Sequence, residues 1–189
     1  MPGLLKPIED RRARRAIGDR PVPEDVVQRL LTAATYAPSC SNNQPWRLVV
    51  VQEPEQLERI KQHLTSGNYW GRPAPLIIAA FTEPDLDCRL SDGRDYAPFG
   101  LGLAVSSLLI QATADGLIAH PVAGFKPVPV KQALEIPPRM TLFTLLIIGY
   151  PVGDESALSE KHRAQEHEER VRKPREEVMR FDRWGALGE

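Results

Sequence analysis

The segment Pro38-Ser39-Cys40-Ser41-Asn42-Asn43-Gln44-Pro45-Trp46 joins a helical pattern on its N-terminal side to an apolar strand on its C-terminal side. Its small, polar and proline residues are typical of a turn-forming loop. The amides of Asn42 and Gln44 can each donate and accept hydrogen bonds, which suits the edge of a heterocyclic ring. The segment therefore predicts a loop that binds a ring-containing ligand. The alternative role for Asn42 is a turn or helix cap.

A second segment, Arg11-Arg12-Ala13-Arg14-Arg15, concentrates guanidinium groups directly before a predicted helix start. Guanidinium binds phosphate through two parallel hydrogen bonds. Taken with the polar loop, this segment predicts a site for a cofactor that carries both a phosphate and a ring. A solvated basic patch and a nucleic-acid patch are the alternatives for such a cluster.

The composition is that of a soluble, globular chain. Of its 189 residues, 42% are hydrophobic and 26% are charged, so it can bury a substantial core. The formal net charge of −1 provides no overall field for nucleic acid or an anionic membrane. We expect one domain over residues 1–189, with neither nucleic acid nor a membrane as a partner.

The two cysteines, Cys40 and Cys88, form no CxxC pair and are too few for a disulfide framework. A reducing cytoplasm is the default location for such a chain, and its first residues contain no apolar run of signal-peptide length. We therefore expect a cytoplasmic protein. Cys40 is interpreted as a small residue in the wall of the site, because nothing nearby in sequence activates its thiol.

Hydrophobic spacing predicts the secondary structure. Helices are expected from Pro23, from Pro54, from Pro127 and over a long stretch that follows Asp95 and ends at Gly116. Short apolar runs predict strands over residues 48–51, 76–81, 120–123 and 141–150. Trp46 is expected in the core.

The long stretch that ends at Gly116 is apolar on nearly every face, and residues 96–114 carry no formal charge. Its glycines and hydroxyl residues dilute the hydrophobicity, which favours a buried helix over a membrane span. A helix that is apolar all round must be covered all round. A subunit interface is the economical explanation, and complete burial within one chain is the alternative.

Beyond residue 154 the chain becomes rich in charge, but apolar residues such as Val171, Phe181 and Trp184 are interspersed. This pattern predicts a C-terminal extension, about residues 154–189, that wraps across the partner subunit. The side chains of His162, His167 and Glu166 are expected to be solvated. The histidines have no metal-ligand spacing, and no Ser-His-Asp arrangement is evident, so no metal site is predicted.

The ordered set of motifs resembles the flavin-dependent nitroreductase family over about residues 8–184. The arginine segment comes first, followed by residues 33–39 leading into Asn42-Asn43-Gln44-Pro45-Trp46 and by the long apolar helix. Gly124-Phe125 and Ile147-Ile148-Gly149-Tyr150-Pro151 are similar to the second half of the family. Residues 172–178 resemble its C-terminal phosphate-contacting segment.

The resemblance implies an α+β fold, in which a three-layer α/β/α sandwich has a central mixed sheet with helices on both faces. It also implies an intertwined homodimer that holds FMN at two interface sites. The implied cofactor-binding residues are Arg11, Arg12, Ala13, Arg15, Pro38, Ser39, Cys40, Asn42, Gln44, Ala123, Gly124, Arg170 and Arg172.

By position, the resemblance implies that Arg11 and Arg15 bind the FMN phosphate, together with Arg170 and Arg172 of the C-terminal tail. Asn42 would contact the polar edge of the ring, and residues 38–40 of the partner would line it. Gly124 would lie near the flavin N5 through its backbone. Two departures are that Ala13 stands where the family often has Ser, and that His120-Pro121 precedes the Gly124 region.

The implied function is transfer of a hydride from NAD(P)H through FMN to a nitroaromatic, quinone or similar conjugated acceptor by a ping-pong mechanism. The flavin carries this chemistry, so no catalytic side chain is expected. The alternatives are a specialised member of the family (a dehalogenase, an azoline dehydrogenase or a flavin-destroying enzyme) and a flavin- or deazaflavin-binding module with little redox turnover.

Overall fold

The computed structural model describes residues 3–185, in which helices and strands are interspersed. In chain order the elements are α1 (Lys6–Asp10), α2 (Glu24–Thr35), β1 (Arg47–Val51), α3 (Pro54–Lys61), β2 (Leu76–Thr82), α4 (Ala97–Ala114), β3 (Ile118–Val122), α5 (Pro127–Ala133), β4 (Thr141–Gly149), α6 (Glu160–His167) and α7 (Arg175–Val178). Residues 1–2 and 186–189, which belong to the predicted domain and its extension, lie outside the described residues.

The strands form one sheet in the order β1-β2-β4-β3, and each neighbouring pair is antiparallel. Ala79 of β2 lies opposite Val49 of β1 on one side and Leu145 of β4 on the other. Within the described residues the sheet is therefore antiparallel, and not mixed as predicted. An apolar run locates a buried strand, but it does not fix the direction in which its neighbours run.

Helices cover both faces of this sheet, which confirms the predicted layers. Every residue of β2 is buried, and successive side chains of a strand point to opposite faces. Ile77 accordingly packs in one core with residues of α3 and α5. Ile78 packs in a second core with residues of α2 and α4.

The long helix α4 presents one face to the second core and leaves the other partly uncovered. Leu101, Ala104, Leu108 and Ala112 are at most 3% exposed, whereas Phe99 is 56% exposed. By length and composition α4 could span a membrane, but a core helix meets the same test, and a third of it (33%) is buried in the chain. The sequence predicts that α4 is covered on every side, and one chain alone does not cover it in this way.

The predicted helices begin close to where the structure has them, with α3 beginning at Pro54 and α5 at Pro127. Proline is favoured in the first turn because its missing N–H would be unpaired there anyway. Helix α1 was not predicted. The arginine segment therefore directly follows a helix, and the prediction that it directly precedes one is wrong.

The C-terminal segment returns to the beginning of the chain. Ser159 caps α6 by accepting a hydrogen bond from the His162 N–H, and the residues after α6 lie against the arginine segment. Further on, Phe181 is 96% exposed and Val171 is 83% exposed. The extension thus packs at its start and presents apolar side chains to solvent towards its end.

Candidate functional site

The tail and the arginine segment are joined by hydrogen bonds from arginine side chains to backbone carbonyl groups. The Arg170 guanidinium donates to the carbonyl oxygens of Glu9 at 2.8 Å and Arg11 at 2.6 Å. The Arg12 guanidinium donates to the carbonyl oxygen of Glu168. Carbonyl groups carry no net charge, so these bonds fix the two segments together and leave the positive charge of the guanidinium groups in place.

Glu166 supplies the buried carboxylate of this junction. It is 3% exposed and accepts a hydrogen bond from the Arg15 N–H at 2.7 Å. The Arg14 guanidinium donates to the Glu166 carbonyl oxygen at 2.7 Å and lies 3.9 Å from its carboxylate. The prediction that Glu166 belongs to a solvated face is wrong, because the tail folds back and brings this side chain under the arginine segment.

A cavity of about 210 Å³ opens between the two segments. It is lined by residues from both, namely Arg11, Arg12, Ala13, Gln165, Glu168, Glu169, Arg170, Val171 and Arg172. Burial, followed by the charges of Arg170, Arg172 and Arg12, lowers the pKa of the Arg11 guanidinium. Arg170 Nε is buried with no hydrogen-bond partner among the described residues. The cavity thus gathers four arginines beside two carboxylates, Glu168 and Glu169.

Arg15 lies on the other side of this junction. Its guanidinium carbon is 6.0 Å from the centre of the Trp70 ring, and Arg15 is absent from the lining of the cavity. Trp70 is 4% exposed and packs against the His120 ring with 4.5 Å between centroids. Of the arginines that the sequence assigns to phosphate, the structure therefore groups Arg11, Arg170 and Arg172 but leaves Arg15 apart from them.

His120 is buried beneath the arginine segment, and its Nδ1 lies 3.0 Å from the Arg14 carbonyl oxygen. Burial lowers the pKa of His120 to about 4, against the raising effect of that hydrogen bond, and the charges of Arg15, Arg11 and His162 lower it further. The ring is therefore neutral at neutral pH, and its Nδ1–H donates to the carbonyl group.

The predicted cofactor loop, residues 38–46, has an unusual backbone. Ser41, Asn42 and Gln44 have φ angles of 48°, 59° and 50°, in the left-handed region that residues other than glycine seldom adopt. The Ser39 hydroxyl accepts from the Gln44 N–H at 3.0 Å, and Gln44 Nε2 donates to the Asn42 carbonyl oxygen at 3.2 Å. The side chains of Asn42 and Gln44 remain exposed to solvent.

The base of the loop is held by the sheet and by α4. The Thr82 hydroxyl, buried at the end of β2, donates to the Pro45 carbonyl oxygen at 2.7 Å. A Cβ placed on Gly100 would lie 2.7 Å from Pro45 Cγ, so the glycine permits the close approach of α4. Trp46 is 7% exposed, which confirms its predicted place in the core.

A disulfide joins Cys40 to Cys88, whose Cα atoms are 6.2 Å apart. The expectation that Cys40 is unpaired is therefore wrong, while its place in the wall of the site stays a prediction. The Asp87 carboxylate lies beside the disulfide, is 7% exposed, and accepts from the Cys88 N–H at 2.8 Å and from Asn43 Nδ2 at 3.3 Å. Cys40, Asp87 and Cys88 have the donor types of a metal site, but bonded sulfurs are not thiolate ligands.

Gly124 is enclosed by two polar side chains. Its carbonyl oxygen accepts hydrogen bonds from the Thr65 hydroxyl at 2.9 Å and from Asn68 Nδ2 at 2.8 Å. A Cβ at this position would lie 2.5 Å from Asn68 Nδ2. The Gly124 carbonyl is therefore occupied, and only its N–H is available for the predicted backbone contact. Ala123, which precedes it, is exposed.

Tyr69 anchors the start of the tail. Its hydroxyl accepts from the Ser159 N–H at 2.6 Å and lies 3.1 Å from His162 Nδ1, and the two rings are stacked. Partial burial, followed by the charges of Arg15 and Lys161, lowers the pKa of His162. The prediction that His162 is a solvated residue is wrong, because it packs on the aromatic ring.

The structure thus forms two separate groups from the predicted site residues. Arg11, Arg12, Ala13, Arg170 and Arg172 share the cavity, and residues 38–46 form the disulfide-linked loop. Within residues 3–185 no hydrogen bond or ion pair joins these two groups. Sequence reasoning missed Glu166, Thr65 and Asn68. The Ser159 cap marks the start of α6, the helix that contains Glu166, but no local pattern indicates that this helix packs against the arginine segment.

The chain is similar to several known proteins in sequence and in structure. The sequence model of the nitroreductase family matches residues 8–69. The FMN reductase [NAD(P)H] of Bacillus subtilis is 26% identical, with 82% of this chain and 68% of that protein covered. The 5,6-dimethylbenzimidazole synthase of Rhodospirillum rubrum is 29% identical, with 79% and 82% covered. A crystal structure described as an oxidoreductase containing FMN superposes with a TM-score of 0.85 at 26% identity, covering 96% of this chain and 93% of that one.

Proposed function

We propose that the chain is a member of the nitroreductase family, whose sequence model matches residues 8–69, and that it is an FMN-dependent oxidoreductase. It transfers a hydride from NAD(P)H through the flavin to a nitroaromatic, a quinone or a similar conjugated small molecule by a ping-pong mechanism. The observation that carries this proposal is the cavity in which Arg11, Arg12, Arg170 and Arg172 converge.

The cavity fits a phosphate group. Four guanidinium groups line it, and the Arg12 and Arg170 side chains are already held by backbone carbonyl oxygens, so they are fixed before a ligand arrives. A dianionic phosphate would offset the burial and the repulsion from Arg170, Arg172 and Arg12 that together lower the pKa of Arg11.

The loop of residues 38–46 fits the polar edge of a flavin ring. The exposed amides of Asn42 and Gln44 provide donors and acceptors together, and the disulfide and Thr82 restrain their backbone. When bound, FMN supplies the hydride-transfer chemistry. The chain's own residues bind and orient it, so no side chain of the site has to act as nucleophile or general base.

The complete site belongs to a homodimer in this proposal. The cavity and the loop are separate within one chain, the outer face of α4 is partly uncovered, and the end of the tail presents apolar side chains. Docking of a second copy would cover these surfaces and would bring the loop of one subunit to the arginines of the other. We place the enzyme in the cytoplasm, where NAD(P)H is available.

The proposed function is tested by the visible absorbance of the purified protein, before and after addition of NADH or NADPH without oxygen. We expect a flavin spectrum that bleaches, followed by recovery of the oxidised spectrum when a nitroaromatic or a quinone is added. A protein that neither contains flavin nor takes up added FMN would overturn the proposal.

A single substitution tests the phosphate assignment. Arg172 lines the cavity, and among residues 3–185 its guanidinium donates only to its neighbour Val171, so Arg172→Ala leaves the other tail contacts intact. Loss of one charge-assisted contact predicts about 10- to 100-fold weaker FMN binding. The matched control is Arg59→Ala, which removes an exposed arginine paired with Glu55 on α3. Equal retention of FMN by both variants would contradict the assignment.

The similarity to a 5,6-dimethylbenzimidazole synthase supports a second candidate, a specialised family member that consumes or modifies its flavin or a dedicated substrate. Such a protein would bind FMN but turn over nitroaromatics and quinones poorly. Product analysis of the flavin after aerobic incubation with NAD(P)H separates the two candidates, since a reductase returns FMN unchanged and a flavin-destroying enzyme does not.

A further inference from the structure

The Cys40–Cys88 disulfide connects two loops that are otherwise joined by few contacts. Cys40 belongs to the predicted cofactor loop, and Cys88 follows β2, 48 positions later in the chain. The remaining contacts between the two loops are weak ones. Asn43 Nδ2 lies 3.3 Å from the Asp87 carboxylate and 3.4 Å from Cys88 Sγ, and the Ser41 hydroxyl is 3.9 Å from the same sulfur.

The backbone of residues 41–44 needs such a restraint. Ser41, Asn42 and Gln44 all have positive φ angles, and residues with side chains keep this conformation only where the surrounding structure imposes it. The hydrogen bonds of the Ser39 hydroxyl and Gln44 Nε2 lie within the loop. They shape the loop but do not attach it to the rest of the molecule.

The base of the loop is attached independently of the disulfide. Thr82 holds the Pro45 carbonyl oxygen, Trp46 is buried, and β1 begins at Arg47. Cleavage of the disulfide would therefore free residues 39–43. Arg47 would still hold the Gln44 carbonyl oxygen at 3.0 Å, and residues 47–51 would stay in the sheet. Both cysteines are half-buried and Ser41 beside them is exposed, so a reductant can approach the bond from solvent.

We propose that Cys40–Cys88 is a thiol-exchange site, at which a dithiol reductant cleaves the disulfide and releases the cofactor loop. One sulfur of the dithiol attacks one cysteine sulfur, forming a mixed disulfide and expelling the other cysteine as a thiol. The second sulfur of the reductant then displaces the remaining cysteine. Two electrons and two protons pass to Cys40 and Cys88, and the dithiol ends as its own disulfide.

The functional consequence is that the loop is ordered when oxidised and released when reduced, so that the protein retains its cofactor more tightly in the oxidised form. The exchange itself is independent of the cofactor. Only the effect on retention rests on the proposed function, and the two are measured separately below.

The exchange is tested on the native, full-length protein without added FMN. Dithiothreitol is the probe, intact mass after alkylation counts the thiols, and hydrogen–deuterium exchange follows the loop. We expect two alkyl groups to be added to the folded protein, and about tenfold faster deuterium uptake in residues 39–43 after reduction, since local opening controls amide exchange. Uptake in β1 and α2 should stay unchanged. A disulfide that resists dithiothreitol until the protein unfolds, or unchanged uptake after complete reduction, would overturn the proposal.

Two variants separate the disulfide from its surroundings. Cys88→Ser should show the fast uptake of the reduced protein in the absence of dithiothreitol, and it should not respond to the reagent. Ser91→Ala removes a hydroxyl from the same segment and keeps both cysteines, so it should respond as the natural chain does. Slow uptake in Cys88→Ser would overturn the proposal.

Cofactor retention is then measured by the recovery of FMN fluorescence on dialysis of the oxidised and the reduced protein. We expect about tenfold weaker binding in the reduced form, a loss typical of giving up preorganisation in a binding loop. Equal binding in both forms would overturn the link to the cofactor. A protein that binds FMN in neither form would overturn the proposed function instead, while the thiol-exchange site would still be judged by its deuterium uptake.

Discussion

The pH dependence of stability depends in part on His120, the buried histidine under the arginine segment. Its pKa falls to about 4 in the folded chain from an ordinary value of 6.5, so the unfolded chain takes up a proton before the folded one does. This stabilising contribution is complete above about pH 6.5 and is lost as the pH falls towards 4. The expected loss is about 3 kcal/mol, at about 1.4 kcal/mol per pH unit.

The substitution His120→Asn tests this expectation, because the asparagine amide can still donate to the Arg14 carbonyl oxygen. Urea unfolding of both proteins between about pH 7 and pH 4 isolates the histidine, since the carboxylates titrate equally in each. The natural chain should lose more stability over this interval than the variant. Parallel stability curves would show that His120 does not titrate as the structure indicates.

At the scale of single residues, the sequence indicated polar side chains near a site but not their long-range partners. Clustered arginines and the amides of Asn42 and Gln44 stand out because their chemistry is unusual for their position. Glu166 and the Cys40–Cys88 bond do not stand out, because each depends on a contact between segments far apart in the chain. Glu166 is one charged residue among many in its segment, so the local sequence does not indicate that it is buried against the arginine segment.

At the scale of elements, the contact between α4 and the cofactor loop depends on one glycine. A methyl group on Gly100 would lie 2.7 Å from Pro45 Cγ and 3.2 Å from its Cδ, so α4 or the loop would have to move. We expect Gly100→Ala to lower the free energy of unfolding by about 1–3 kcal/mol, the usual cost of overpacking a core. It should also weaken FMN binding, because Pro45 ends the loop.

Gly67→Ala is the control at a glycine outside α4. No atom lies within 4 Å of a Cβ placed there, so the substitution should change the free energy of unfolding by less than about 0.5 kcal/mol. Urea unfolding measures both changes. Two alanine variants of equal stability would show that the packing of Pro45 against α4 is looser than in the structure.

The helices and strands themselves were largely predictable, because their hydrophobic periods are clear and prolines mark the starts of α3 and α5. The antiparallel arrangement of the sheet was not, since β2 is buried on both faces and its apolar run is compatible with neighbours in either direction. Helix α1 was missed because its five residues have no buried face, and hydrophobic periodicity is the signal by which helices are found.

At the scale of the whole molecule, the proposed homodimer should depend on the apolar end of the tail. Phe181 is 96% exposed, and contact with a second subunit would remove its apolar surface from water. We expect Phe181→Ser to shift the protein towards monomer in analytical ultracentrifugation and to reduce its flavin content. Val128→Ser, which changes an apolar residue on α5 that is 63% exposed, is the control and should leave the dimer intact.

A dimer that is equally stable in both variants would indicate that the tail does not hold the subunits together. The partly uncovered face of α4 would then be the next surface to test by substitution.

The cavity between the arginine segment and the tail also sets an order of events during biosynthesis. Arg12 binds the carbonyl group of Glu168, 156 positions later in the chain. At a synthesis rate of about 5–20 residues per second, the first wall of the cavity leaves the ribosome roughly 8 to 30 seconds before the second. A nascent chain therefore displays its arginines without their counterpart for most of its translation, and capture of a phosphate-bearing cofactor becomes one of the last steps of its maturation.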